Sequence, residues 1–131
     1  MKRVETKLNN FSVALKRLRE AVSAYKNERD NALYRDALIQ RFEFTFELAW
    51  KTTSEVLREQ GVVVEIISPK SVFRSAYNAG YIDNEEMWIK IIDDRNSMSH
   101  TYDEQTAQTV ADAICNHYCK ELALLLKNLS K

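Results

Sequence analysis

Apolar side chains open the chain at alternating steps of four and three: Val4, Leu8, Phe11, Leu15, Leu18, Val22 and Tyr25. That spacing is a heptad seam, the pattern of a helix packed nearly parallel or antiparallel to a neighbour. The polar stretch Asn27 to Asp30 interrupts it and predicts a turn. A second helical stripe follows through Leu38, Phe42, Phe46, Trp50, Thr53 and Leu57, with Gly61 placed to end it at the C′ position. Residues Val62 to Ile67 are rich in β-branched side chains, but nothing else in the chain offers a strand to pair with them. A lone strand is not stable, so this segment is expected to lie extended across a bundle. Ser68-Pro69 supplies an N-cap and an N1 proline for a short helix ending near Gly80. Asp83 with Glu86 predicts a capping-box start for a helix carrying Met87, Trp88, Ile91 and Ile92. Ala107, Ala111, Ile114, Tyr118, Leu122, Leu125 and Leu129 mark a final long helix.

Without repeats, low-complexity tracts or linkers, these elements predict an all-α fold in one domain, 1–131. Its architecture is expected to be an up-and-down antiparallel bundle of four to five helices with a short additional helix. The long helices are expected to be the first, second and last. Only 2 Gly and 1 Pro among 131 residues agree with long uninterrupted helices. Basic and acidic residues balance at 19 each, which removes the long-range positive field of a dedicated nucleic-acid binder. Phosphate recognition must then be local, or built from several chains. Cys115 and Cys119, at i and i+4 on an apolar stripe, read as reduced residues in or near a helical core. The absence of a signal peptide and of an apolar run of bilayer length predicts a cytoplasmic protein with no membrane partner.

Candidate chemistry concentrates in the run from Asp93 to Glu104, where the apolar periodicity lapses. The run predicts a helix end, a polar turn and a new helix start, with a site exposed on a rigid frame. Arg95 offers a planar fork that matches phosphate oxygens. His100 carries a group that titrates near neutrality, as proton transfer requires. The plain structural alternative makes Arg95 a helix-end residue or the ion partner of Asp93 or Asp94, and His100 a polar turn residue. The functional reading is an RNA-cleaving pair, with His100 moving the proton of a ribose 2′-hydroxyl and Arg95 holding the phosphate. Such an attack is intramolecular and needs no metal. Asn96 either orients one of the pair or caps the turn. Tyr102 is a half-buried aromatic, a stacking surface or a modifiable hydroxyl.

Glu43, Glu47 and Lys51 recur one turn apart in the second helix. A solvated Glu47–Lys51 pair would contribute about 0.3–0.5 kcal/mol. The surrounding Phe42, Phe44, Phe46, Leu48 and Trp50 instead suggest a partly buried carboxylate that needs a cation, for which Arg95 is a candidate. His117 reads as structural. No glycine-rich phosphate loop, zinc spacing or Ser-His-Asp arrangement is present, so neither metal nor cofactor is expected.

The run Arg95-Asn96-Ser97-Met98-Ser99-His100-Thr101-Tyr102 resembles the Arg-x4-His-x-Tyr motif of HEPN domains, especially the HepT-like toxins. The run from Arg41 to Lys51, then Ser68-Pro69-Lys70, and Trp88 ahead of the motif resemble the nucleotidyltransferase substrate-binding branch of that superfamily. The resemblance implies a dimerising helical bundle that brings the Arg/His motifs of two chains to a shared cleft. It also implies a minimal nucleotidyltransferase encoded nearby as partner. By that carry-over, Arg95 and His100 are catalytic in a metal-independent endoribonuclease, Asn96 and Glu47 orient or bind, and Tyr102 accepts AMP from the partner. The toxin half of a toxin–antitoxin pair is one expectation. A non-enzymatic accessory subunit that presents a substrate or nucleotide to the transferase is the other.

Overall fold

The computed structural model describes residues 3–100 and 103–131, and of Ser99 and His100 the backbone only. Its helices are α1 (Arg3–Asn27), α2 (Ala32–Glu59), α3 (Pro69–Asn78), α4 (Glu85–His100), α5 (Glu104–Ala113) and α6 (Cys119–Leu129). A π-helical turn, Ile114–Tyr118, joins α5 to α6 without a break. The fold is all-α, with no strand among the described residues.

The heptad seam packs α1 against α2, with Phe11, Leu15, Leu18 and Tyr25 buried. Side-chain-to-backbone bonds fix their opposite directions. Thr52 Oγ1 donates to the Lys7 carbonyl, Thr45 Oγ1 to that of Ala14, and Arg41 Nη1 to that of Arg17. The turn between them is closed by Asn31, whose side chain accepts from the Leu33 and Tyr34 amides at 2.9 and 3.2 Å. Gly61 ends α2 at φ +80°, a left-handed conformation that L side chains rarely adopt, and the Val62 amide reaches back to the Leu57 carbonyl at 2.9 Å.

Residues 62–67 form no regular element, bend at 65–66, and do not pack across the bundle. Val63, Ile66 and Ile67 are 83, 78 and 61% exposed. Ser68 caps α3 reciprocally with Ser71, and Pro69 takes the N1 position, as the sequence predicts. The α4 cap falls one residue later than expected. Asn84, not Asp83, accepts from the amide three positions on, that of Met87, at 3.1 Å. The expected partner of Asp83, Glu86, lies in the first turn of α4, where its charge suits the helix dipole.

The seven stripe positions of the last helix are all buried. The turn inside it was not expected. The Cys119 amide bonds the Ile114 carbonyl, five residues back, which marks one inserted residue. An aromatic row runs through the core from this turn to α4. Tyr118 stacks on Phe42 at 5.9 Å, Phe42 meets Phe46 at 6.3 Å, Phe46 meets Phe73 at 6.0 Å, and Phe73 stacks on Trp88 at 4.3 Å. Such offset rings add roughly 0.5–1.5 kcal/mol per pair beyond their burial. No described helix is long and apolar enough to cross a membrane.

Candidate functional site

The run read as a polar turn is mostly helix. α4 continues through Arg95 to His100, and α5 begins at Glu104. Met98 explains the extension. It lies two turns beyond Ile91, is buried to 7% exposure, and keeps the helix seated on the core through the polar stretch. Asp103 then starts α5, its carboxylate accepting from the Thr106 amide at 2.8 Å. That bond holds its carboxyl below the usual range.

Helical geometry turns Arg95 toward α2. Its Nη2 donates to Glu47 Oε1 at 2.8 Å, and its guanidinium lies 5.4 Å over the Phe46 ring. Nη1 also donates to Asn96 Oδ1 at 3.3 Å. Glu47 is itself held, its Oε2 accepting from the Trp50 indole at 3.1 Å and facing Lys51 Nζ at 3.8 Å. The side chains of Arg95 and Glu47 are 28 and 35% exposed, so the pair is half-buried rather than solvated. One turn earlier, burial pushes the Glu43 carboxyl up, while the charge of Arg95 pulls it down. Glu47 therefore meets both expected cations, Lys51 on its own helix at 3.8 Å and Arg95 from α4 at the shorter 2.8 Å.

Asp94 faces the other way and accepts the hydroxyl proton of Tyr118. Burial, this bond and the charges of Asp94 and Asp93 push the Tyr118 phenol well above its usual range. Arg35, at the start of α2, is 7% exposed and pairs with Asp36 at 3.3 Å and Glu104 at 3.8 Å. Sequence reading missed both. The signal for Arg35 was its place three residues before Leu38, on the buried stripe, and Tyr118 was read only as an apolar stripe member.

The structure thus brings Arg95, Glu47 and Asn96 together. His100 ends the same helix five positions after Arg95, which places the two positions roughly 140° apart around the axis. Its side chain and Tyr102 lie outside the described parts of the chain. Among the described residues no three His, Cys, Asp or Glu side chains are grouped to hold a metal. What the cluster offers is a guanidinium oriented by a carboxylate and backed by an aromatic ring. That arrangement suits recognition of a phosphate at a fixed angle.

The family described as nucleotidyltransferase substrate binding protein like matches residues 6–131. A probable ribonuclease HepT of Haemophilus influenzae is 33% identical over 94 residues, which cover 70% of this chain and 64% of that protein. The match therefore spans less than two-thirds of that relative. A crystal structure of a Thermus thermophilus protein superposes with a TM-score of 0.71 at 33% identity, covering 87% of this chain and 99% of that one.

Proposed function

Because the chain belongs to the nucleotidyltransferase substrate binding protein like family, a branch of the HEPN superfamily, we propose that it is the ribonuclease partner of a minimal nucleotidyltransferase. The observation that carries this reading is the Arg95 guanidinium oriented by Glu47 on the helix that also bears His100. In the proposed reaction His100 takes the proton of a ribose 2′-hydroxyl. The 2′-oxygen attacks the adjacent phosphorus, and the 5′-oxygen leaves with a proton returned to it. The products are a 2′,3′-cyclic phosphate and a 5′-hydroxyl end. Arg95 balances the charge that grows on the non-bridging oxygens, so the step needs no metal. In this reading the protein is a homodimer and the toxin half of a toxin–antitoxin pair, located in the cytoplasm.

The test is cleavage of a labelled RNA in the absence of divalent metal. His100→Ala should lower the rate by about 10²–10⁴. Arg95→Ala should lower it by roughly 10²–10³. If both act on one transition state, the double variant should be little worse than either single one. Wild-type activity in His100→Ala would discard the assignment. Tyr102 is the acceptor by which the partner would silence the nuclease. Incubation with the nucleotidyltransferase, ATP and magnesium should add AMP to the Tyr102 peptide, read by mass spectrometry, and Tyr102→Phe should abolish the adduct.

A second reading has its own support in the zero net charge and in the carboxylates already facing Arg95. It makes the chain a non-enzymatic subunit that presents a substrate or nucleotide to the transferase. Intact RNA together with faster nucleotidyl transfer in the presence of this chain would favour it.

A further inference from the structure

We propose that the cleft between α3 and α4 is a second phosphate subsite, where Lys70 and Arg74 hold the backbone of the same single-stranded RNA that reaches Arg95. This rests on the ribonuclease reading and extends it to how the strand is held.

Three observations converge on the cleft. The first is charge. Arg3, Arg29, Arg35, Arg41, Lys51 and Arg95 are each ion-paired. Lys70 and Arg74, one turn apart on α3 and exposed, have no such partner among the described residues; other exposed cations such as Lys16, Arg58 and Lys90 share that, but these two line the cleft together. The second is an orphaned donor. Trp88, which lines the cleft, is 1% exposed, and its indole N–H is a buried side-chain donor without a partner among the described residues. The only other tryptophan, Trp50, satisfies its indole on Glu47. An indole N–H can only donate, so a small acceptor, a water or a phosphate oxygen, would complete it. The third is size and place. The cavity, lined by Lys70, Phe73, Arg74, Trp88 and Ile92 among others, measures about 30 Å³. That is room for an oxygen or a water and none for a base. The contact would therefore be to backbone and independent of sequence. Ile92 precedes Arg95 by one helical turn, and the Phe73 ring under the cleft adjoins Phe46 under Arg95. One strand can follow that path. Glu85 also lines the cleft and opposes an anion, leaving the three charged side chains with a net single positive charge.

The full-length chain is titrated with a short fluorescent 2′-O-methyl oligoribonucleotide, which lacks the attacking hydroxyl, across a potassium chloride series without divalent metal. Fluorescence anisotropy should show weaker binding by the Lys70→Ala/Arg74→Ala variant. Its plot of log affinity against log salt should be shallower by about 0.7 for each lost phosphate contact. Glu85→Gln should bind more tightly. The Trp88 indole resonance in a ¹⁵N–¹H spectrum should move on titration in the wild type and stay still in the double variant. Because both basic residues are exposed, circular dichroism should report unchanged helicity. Absent binding, an unchanged salt slope, or equal affinity for polyglutamate would each overturn the subsite. Binding that depends on Lys70 and Arg74, with no cleavage of the matching 2′-hydroxyl RNA, would retain the subsite and remove the nuclease reading.

Discussion

Asp94 and Arg95 are neighbours in sequence, and the helix sends them to different partners: Asp94 accepts from Tyr118, and Arg95 donates to Glu47. Each bond joins α4 to another element, so the two together fix the rotation of α4 and with it the direction of the guanidinium. Tyr118→Phe keeps the ring that stacks on Phe42 and removes only the donor. Leaving a part-buried carboxylate without its hydrogen bond should cost about 1–3 kcal/mol, read from the urea midpoint at unchanged slope. The pH dependence carries a sign. The folded phenol holds its proton above the range in which the unfolded phenol loses it. The folded state then binds more protons, and stability falls as pH rises past the ordinary tyrosine range. Tyr118→Phe should lack that part of the alkaline loss. The same half-burial changes what Arg95→Ala means. An exposed turn residue would leave the fold untouched, whereas here the substitution uncovers Phe46 and strips Glu47 of its cation. Arg95→Ala activity therefore needs reading beside a melting curve.

Elements were legible where a period or a cap carried them. The stripes of α1, α2 and the last helix are burial patterns, and the buried residues follow them. Ser68-Pro69 and Gly61 sit at the ends they predict. What escaped were features without a period of their own. One apolar residue, Met98, sustains α4 through a polar run, and one side chain is too little signal to separate helix from turn. The π-helical turn leaves no trace because steps of three and four fit the last stripe with or without an inserted residue. The Glu47–Arg95 pair was partly legible, since a glutamate set among aromatics implies a cation. Arg35 was not, because a guanidinium on an apolar stripe is ordinarily solvated by its own length. Gly61 gives a clean test of the element ends. A Cβ there would meet nothing within 4 Å, so Gly61→Ala measures the left-handed backbone alone. It should cost about 1–2 kcal/mol in equilibrium urea unfolding, without loss of helix in circular dichroism.

Across the whole molecule the charges cancel, 19 against 19, so no broad field gathers a polyanion and local geometry must do so. In the reading proposed here that geometry is shared between two chains. Arg95 and His100 occupy positions roughly 140° apart around a single helix, so the two positions open on different sides of it. A two-fold dimer would set Arg95 of one copy facing His100 of the other. Mixing two inactive variants tests this. Arg95→Ala and His100→Ala homodimers should each fail to cleave RNA, because every site lacks one member. After partial unfolding and refolding together, about half of the dimers would be mixed. In each mixed dimer one site would carry both defects and the other neither, so cleavage should return to about a quarter of the wild-type rate. A site contained within a single chain would give no recovery, since each copy would still carry its own defect. Light scattering on the mixture should give twice the 15.3 kDa chain mass, and a monomer at micromolar concentration would remove the shared site altogether.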